Sequence, residues 1–165
     1  MGIAKKMLLG AGIAGLAVTG CTTTSTDDAS TRDDAGTVVE SGEVGAFRLQ
    51  EGDCFGATDD GLIATVDAVP CTEPHQSEVY ATFTLAYGED DAFPGQTVVD
   101  TAADDGCYER FDDFVGRDYE SSIYGYGSLT PTVESWNGLD DREVLCVIGN
   151  YDESPKTGSA GGTGR

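Results

Sequence analysis

The sequence has 165 residues, with 30 acidic against nine basic and a formal net charge of −21. A chain of this size can bury one core, and its charge repels nucleic acid and anionic headgroups, which excludes nucleic-acid binding. The acids lie in scattered pairs such as Asp27-Asp28, Asp59-Asp60, Asp104-Asp105 and Asp140-Asp141, the pattern of a solvated surface, and no segment has the oxygen-ligand spacing of an EF-hand loop.

Met1 to Lys6 carries Lys5 and Lys6 and no acid, and Met7 to Val18 is apolar. The apolar run is shorter than the roughly 20 residues a spanning helix needs. This layout predicts an export signal over residues 1–20. Its end, Val18-Thr19-Gly20-Cys21, resembles the bacterial lipobox: an aliphatic residue, two small residues that enter a signal peptidase, and a cysteine. The resemblance implies that Cys21 takes a diacylglycerol thioether with palmitate-type chains. It also implies a cell-membrane location, lipid-anchored on the extracytoplasmic face. Two chains suffice for stable anchoring. Loss of residues 1–20 removes two bases and no acid, leaving seven bases against 30 acids and a net charge of −23. Residues 21–45 are expected to be the lipidated cysteine and a disordered acidic linker. Thr, Ser, Asp and Gly dominate there, with little apolar surface to offset chain entropy.

Residues 46–153 are read as the folded domain. Phe47, Leu49 and Cys54-Phe55 suggest a first extended segment, and Leu62 to Cys71 a second strand ended by Pro70. From His75 to Leu85 the residues alternate. Val79, Ala81, Phe83 and Leu85 share one face, and Glu78, Tyr80, Thr82 and Thr84 the other, as in a half-buried strand. From Gln96 the period lengthens. Val99, Ala103, Cys107, Phe111 and Phe114 recur every three or four residues, predicting an amphipathic helix that ends near Gly116. Gly106 weakens it by about 1 kcal/mol relative to alanine and suits a point of close packing. Tyr119, Tyr124 and Tyr126 follow in an expected loop. Thr130-Pro131 is expected to cap a short helical turn through Trp136. Arg142 to Gly149 is apolar on both faces and is placed centrally in the sheet. Residues 154–165 are glycine-rich and expected to be a flexible tail.

Cys54, Cys71, Cys107 and Cys146 remain once Cys21 is set aside. An even number in an exported domain points to disulfides, with three possible connectivities. Their spacings include no CxxC or histidine-containing ligand set, so no metal is expected. Cys107 lies on the apolar helix stripe and Cys146 on the strand face carrying Val144 and Ile148, so a helix packed on that face joins them. The pairing expected is Cys54–Cys71 and Cys107–Cys146. The fold class expected is α+β: a small, largely antiparallel sheet with one main helix on one face, stapled by two disulfides.

Val44 to Phe55 (VGAFRLQEGDCF), Val69 to Val79 (VPCTEPHQSEV), Cys107, Pro131 to Trp136 (PTVESW), Asp141 to Cys146 (DREVLC) and Lys156 to Ser159 (KTGS) together resemble the septum formation domain of actinobacterial envelope proteins. The resemblance implies an extracytoplasmic, membrane-tethered domain tied to cell division. It brings no catalytic residues with it.

No enzyme and no cofactor are expected. His75, the lone histidine, follows Pro74 at a strand start. It is a candidate partner contact, but a structural role bonding backbone groups is the simpler reading. Ser77 and Ser135 lack a GxSxG setting. Glu134 with Glu143 or Asp141 could act as a glycosidase acid pair, which keeps a wall-polymer hydrolase as a rival reading. A cation-binding acidic surface protein is a third. Tyr124 and Tyr126, in IYGYG, are the preferred partner contacts, because rigid aromatics supply contact area. Trp136 is a further candidate that more simply caps the core. The expected role is a non-enzymatic binding or scaffold module, its partner an envelope or division protein or wall polymer.

Overall fold

The computed structural model describes residues 28–58 and 63–165. The expected signal peptide and Cys21 lie outside the described residues. Thr31–Arg32 (β1) and Val38–Glu40 (β2) form a small antiparallel pair. The main sheet contains Gly42–Gly45 (β3), Cys54–Phe55 (β4), Thr65–Val69 (β5), Ser77–Thr84 (β6), Tyr124–Leu129 (β7) and Glu143–Asn150 (β8), in the order β3-β5-β4-β6-β8-β7. Every pairing is antiparallel. The main helix, Gln96–Val115 (α1), and a short one, Val133–Leu139 (α2), complete the α+β fold. Among the described residues, no helix is long and apolar enough to cross a membrane.

α1 forms where the 3.6-residue period predicts it. Val99, Ala103, Cys107 and Phe111 are fully buried against Ala81, Val144, Cys146 and Ile148 of the sheet, and Asp104, Asp105, Asp112 and Asp113 face water. Gly116, at φ 80°, ends the helix in the left-handed conformation that glycine adopts without strain. Gly106 is buried directly against the Phe83 ring of β6. A Cβ there would overlap the Phe83 ring, with Cε1 at 2.8 Å and Cε2 at 2.9 Å.

Both disulfides have the expected partners. Cys107–Cys146 pins α1 to β8 with Cα atoms 5.4 Å apart, and Cys54–Cys71 ties β4 to the end of β5 with Cα atoms 5.2 Å apart. β8 lies between β6 and β7; Val144, Cys146 and Ile148 pack under α1 while Leu145 and Val147 pack into a second core on the opposite face, which accounts for its two apolar faces.

Four expectations need correction. First, β6 does not alternate cleanly. A bulge at Tyr80 pairs Val79 with Val147 but Ala81 with Cys146, and the extra residue reverses the side-chain order. Val79 therefore joins Val44, Phe55, Val66, Ala68 and Leu145 on the sheet face away from α1. Tyr80, Ala81 and Leu85 belong to the α1 side. Glu78 and Tyr80, expected in solvent, are 2% and 5% exposed.

Second, β-structure begins well before residue 46. Val38 and Val44, nearly the only apolar side chains of that segment, are buried in the second cluster. The Arg32 guanidinium grips the buried Asp53 carboxylate with two bonds, of 2.5 and 2.8 Å. Ordering here is supplied by tertiary partners that a local composition cannot reveal.

Third, the glycine-rich tail is folded onto the domain. Ala160 is fully buried in the α1-side core. The N–H groups of Gly162 and Gly164 donate to Phe114 and Val115 carbonyls at 2.7 and 2.8 Å, supplying acceptors at the helix end with donors. Fourth, the cap of α2 is Thr132 rather than Thr130, in a capping box with Ser135.

Candidate functional site

The expected aromatic loop is partly a strand. In β7, Tyr-Gly-Tyr-Gly alternates, so both tyrosines point toward α1 and both glycines away. The glycines mask the strand signal, since they carry no side chain to read. Tyr124 is 5% exposed and belongs to the core, which removes it as a partner contact. Tyr126 is half-buried in an aromatic group. Its ring centroid lies 4.9 Å from Tyr119 and 5.9 Å from Phe111, and Tyr119 packs edge-on against Tyr108 and Phe111. The Tyr126 hydroxyl donates to Asp104 Oδ1 at 3.0 Å and the Tyr108 hydroxyl to Glu120 Oε1 at 2.6 Å. Burial, then the Asp104 carboxylate, pushes the Tyr126 phenol up to about 12. Tyr126 therefore stays a neutral donor.

Two depressions flank β7. At its Leu129 end is a cleft of about 350 Å³, lined by Phe47, Ile63, Leu129 and Leu145 with the carboxylates of Asp141 and Glu143. Phe47, just after β3, is 63% exposed. Residues next to β3 and residues of β7, opposite ends of the strand order, meet in this one cleft, so the sheet curls strongly. Asp141 accepts from the Ser135 hydroxyl at 2.8 Å and from the Glu143 N–H at 3.1 Å. Partial desolvation at the cleft, then the Asp141 charge, raises the pKa of the Glu143 carboxyl above its ordinary value. The second depression, about 490 Å³, opens over Gly125, Gly127 and Gly149, beside Val147 and Tyr151.

His75 and Trp136 do not reach the surface. His75 is fully buried. Its Nδ1–H donates to the Glu73 carbonyl at 2.8 Å, and Nε2 accepts from Lys156 Nζ at 2.9 Å. Burial, opposed by the Glu73 bond and aided by Lys156, lowers its pKa, so the ring is neutral. Lys156 also donates to Glu78 Oε2 at 2.6 Å and to the Gly158 carbonyl at 3.1 Å. Glu78 accepts from the Ala160 N–H at 2.8 Å and from the Ser159 hydroxyl. Cys54, His75 and Glu78 bring possible ligand atoms within 4.8 Å of one another. The Cys54 sulfur is committed to Cys71 and Glu78 to Lys156, so the group holds the tail and suits no cation. This network joins a residue assigned to a solvent face with one assigned to a flexible tail, which is why the sequence concealed it.

Trp136 is 1% exposed, with Nε1–H donating to the Asp91 carbonyl at 2.8 Å and the Arg142 guanidinium 3.7 Å above its ring. It caps the core, as its simpler reading has it. Of the four candidate contacts, Tyr126 alone borders either of these two depressions. The sequence reading missed Phe47, Leu129 and Glu143 as neighbours in one cleft, because only the curl of the sheet brings them together.

No curated protein and no solved structure matches the chain. A family model described as septum formation matches residues 15–146, well over half of it. The matched span runs through both disulfides, α1, β7 and α2 to Cys146 of β8, and stops before the tail network. The chain belongs to the septum formation family and so has a role related to the cell envelope and division.

Proposed function

We propose that the protein is a lipid-anchored, extracytoplasmic binding or scaffold module of the envelope, non-enzymatic, whose working surface surrounds β7. The observation that carries this reading is the pair of depressions flanking one strand. They have apolar and glycine floors, acidic rims and an exposed Phe47, an anatomy suited to a protein partner. The anchoring part rests on the Val18 to Cys21 pattern. Asp28 is bridged to Val44 at the sheet edge, and the seven residue steps from Cys21 to it span at most about 25 Å. The domain would therefore sit close to the membrane rather than deep in the wall.

Two experiments test this. Cys21→Ser should release the protein from the membrane fraction or block its maturation, and unchanged anchoring would contradict the lipid assignment. Crosslinking in growing cells should join the wild type to an envelope or division protein. Phe47→Glu, at an exposed position, should abolish that product. An identical yield from the variant would remove the cleft from the binding surface.

The carboxyl group of Glu143, its pKa raised by desolvation and by the charge of Asp141 beside it in a cleft, supports one rival, a wall hydrolase. Release of soluble fragments from purified wall polymer by the wild type but not by Glu143→Gln would establish it.

A further inference from the structure

We propose that the free edge of β7 is a docking strand for an extended, cationic segment of a partner protein, with basic residues at alternate positions. This rests on reading the chain as a binding module and names what its surface recognises. A six-stranded open sheet has two edges. One of them, β3, is covered, because Asp28 bridges to Val44 and the Ala29 N–H donates to the Glu43 carbonyl at 2.7 Å. The other, β7, pairs with β8 alone.

The direction of its backbone groups follows from the register. The Tyr151 N–H donates to the Ile123 carbonyl at 3.0 Å, and the pairing continues Gly125 with Gly149 and Gly127 with Val147. Antiparallel pairs alternate between bonded and non-bonded. Gly125, Gly127 and Leu129 therefore turn their N–H and C=O groups to β8, while Tyr126 and Ser128 turn theirs outward. No hydrogen bond from a described residue reaches those outward groups. Edge strands are commonly protected by lysine, proline or a bulge. β7 has none of these, and an added strand would pair with it directly.

The helix beside it specifies the charge. Gln96, Asp100, Asp104 and Tyr108 recur every fourth residue and run along β7. Gln96 Nε2 and the Thr130 hydroxyl both donate to Asp100 Oδ1, at 2.8 and 3.2 Å, and the Tyr126 hydroxyl donates to Asp104 Oδ1. Four helical residues advance about 6 Å, and two residues of an extended strand advance roughly 6.6 Å. Paired residues on neighbouring strands share a face. Side chains opposite Tyr126 and Ser128 would thus lie on the α1 side, spaced to meet Asp104 and Asp100. The residue between them would lie over the depression at Gly127, which accepts an apolar group. A second copy of this chain, itself at −21, is a poor occupant because like charges repel.

The test uses the full-length protein in detergent and a capped seven-residue peptide alternating lysine and valine. A second peptide has the edge-facing backbone amides N-methylated, and a third carries glutamate in place of lysine. The first should bind and protect the Tyr126 and Ser128 amides from hydrogen exchange. N-methylation should weaken binding roughly tenfold, the effect of losing two backbone bonds, and the acidic peptide should not bind. Asp100→Asn with Asp104→Asn should weaken binding severalfold and flatten its salt dependence. Ser128→Pro, which removes an outward donor without touching the β8 ladder, should weaken binding and leave the salt dependence intact. Equal binding of the N-methylated peptide, or unprotected amides, would overturn the proposal, as would self-association through β7. The crosslinked partner lost with Phe47→Glu could still be found in that case, so the broader binding reading would survive.

Discussion

Replacing Lys156 by methionine keeps most of the stem volume and removes an ammonium that touches Glu78 at 2.6 Å, His75 Nε2 at 2.9 Å and the Gly158 carbonyl at 3.1 Å. Glu78, 2% exposed, would keep its Ser159 and Ala160 donors but lose its counter-charge. Removing one partner of a buried ion pair costs about 3–5 kcal/mol, because the remaining charge is left uncompensated. For a domain of this size that is a fall in Tm of roughly 10–15 °C. Urea unfolding and calorimetry of Lys156→Met, Glu78→Gln and the double variant would measure it. The double variant should be more stable than the sum of the single losses predicts, since it leaves no unpaired charge. Deleting residues 154–165 should cost at least as much as Lys156→Met. A loss under about 1 kcal/mol for Lys156→Met, or strict additivity in the cycle, would refute this assignment of the network.

Gly106→Ala should gain about 1 kcal/mol of helix propensity yet destabilise the protein by about 1–3 kcal/mol net, because its Cβ overlaps Phe83; a higher Tm would show that the ring can move. Replacing both Cys107 and Cys146 by alanine should cost about 4 kcal/mol and the Cys54–Cys71 pair about 3, following the 39- and 17-residue separations, and chemical denaturation of the two variants would rank them. His75 has a folded-state pKa below its ordinary value of about 6.5, so the unfolded chain binds its proton first. Stability should be full above about pH 6.5 and fall as the pH drops toward the folded pKa. His75→Gln should lose that part of the dependence between pH 7.5 and 5.5.

The parts of the fold legible in the sequence were those with a long, unbroken period. Val99, Ala103, Cys107 and Phe111 mark α1, and the strand at Val144, Cys146 and Ile148 supplies the facing surface, so the Cys107–Cys146 bond follows from two patterns. A single bulged residue, Tyr80, was enough to misassign half of β6, because a one-residue shift exchanges the two faces. β7 was concealed by Gly125 and Gly127. The first strands and the tail were concealed by composition, since Arg32 needs Asp53 and Lys156 needs Glu78, contacts distant in sequence. The candidate site suffered most from this. Tyr126 could be chosen from its local setting, while the cleft of Phe47, Leu129 and Glu143 exists only after the sheet curls.

The claim that β7 is the working surface meets its most direct test in growing cells. A photo-crosslinking residue replaces Ser128 on the β7 edge or, as a control, Asp34 on the exposed β1–β2 turn. The binding account predicts a discrete adduct with an envelope or division protein from position 128 and none from position 34. Equal adducts from both positions, or none from 128 with the protein present at normal levels, would contradict it.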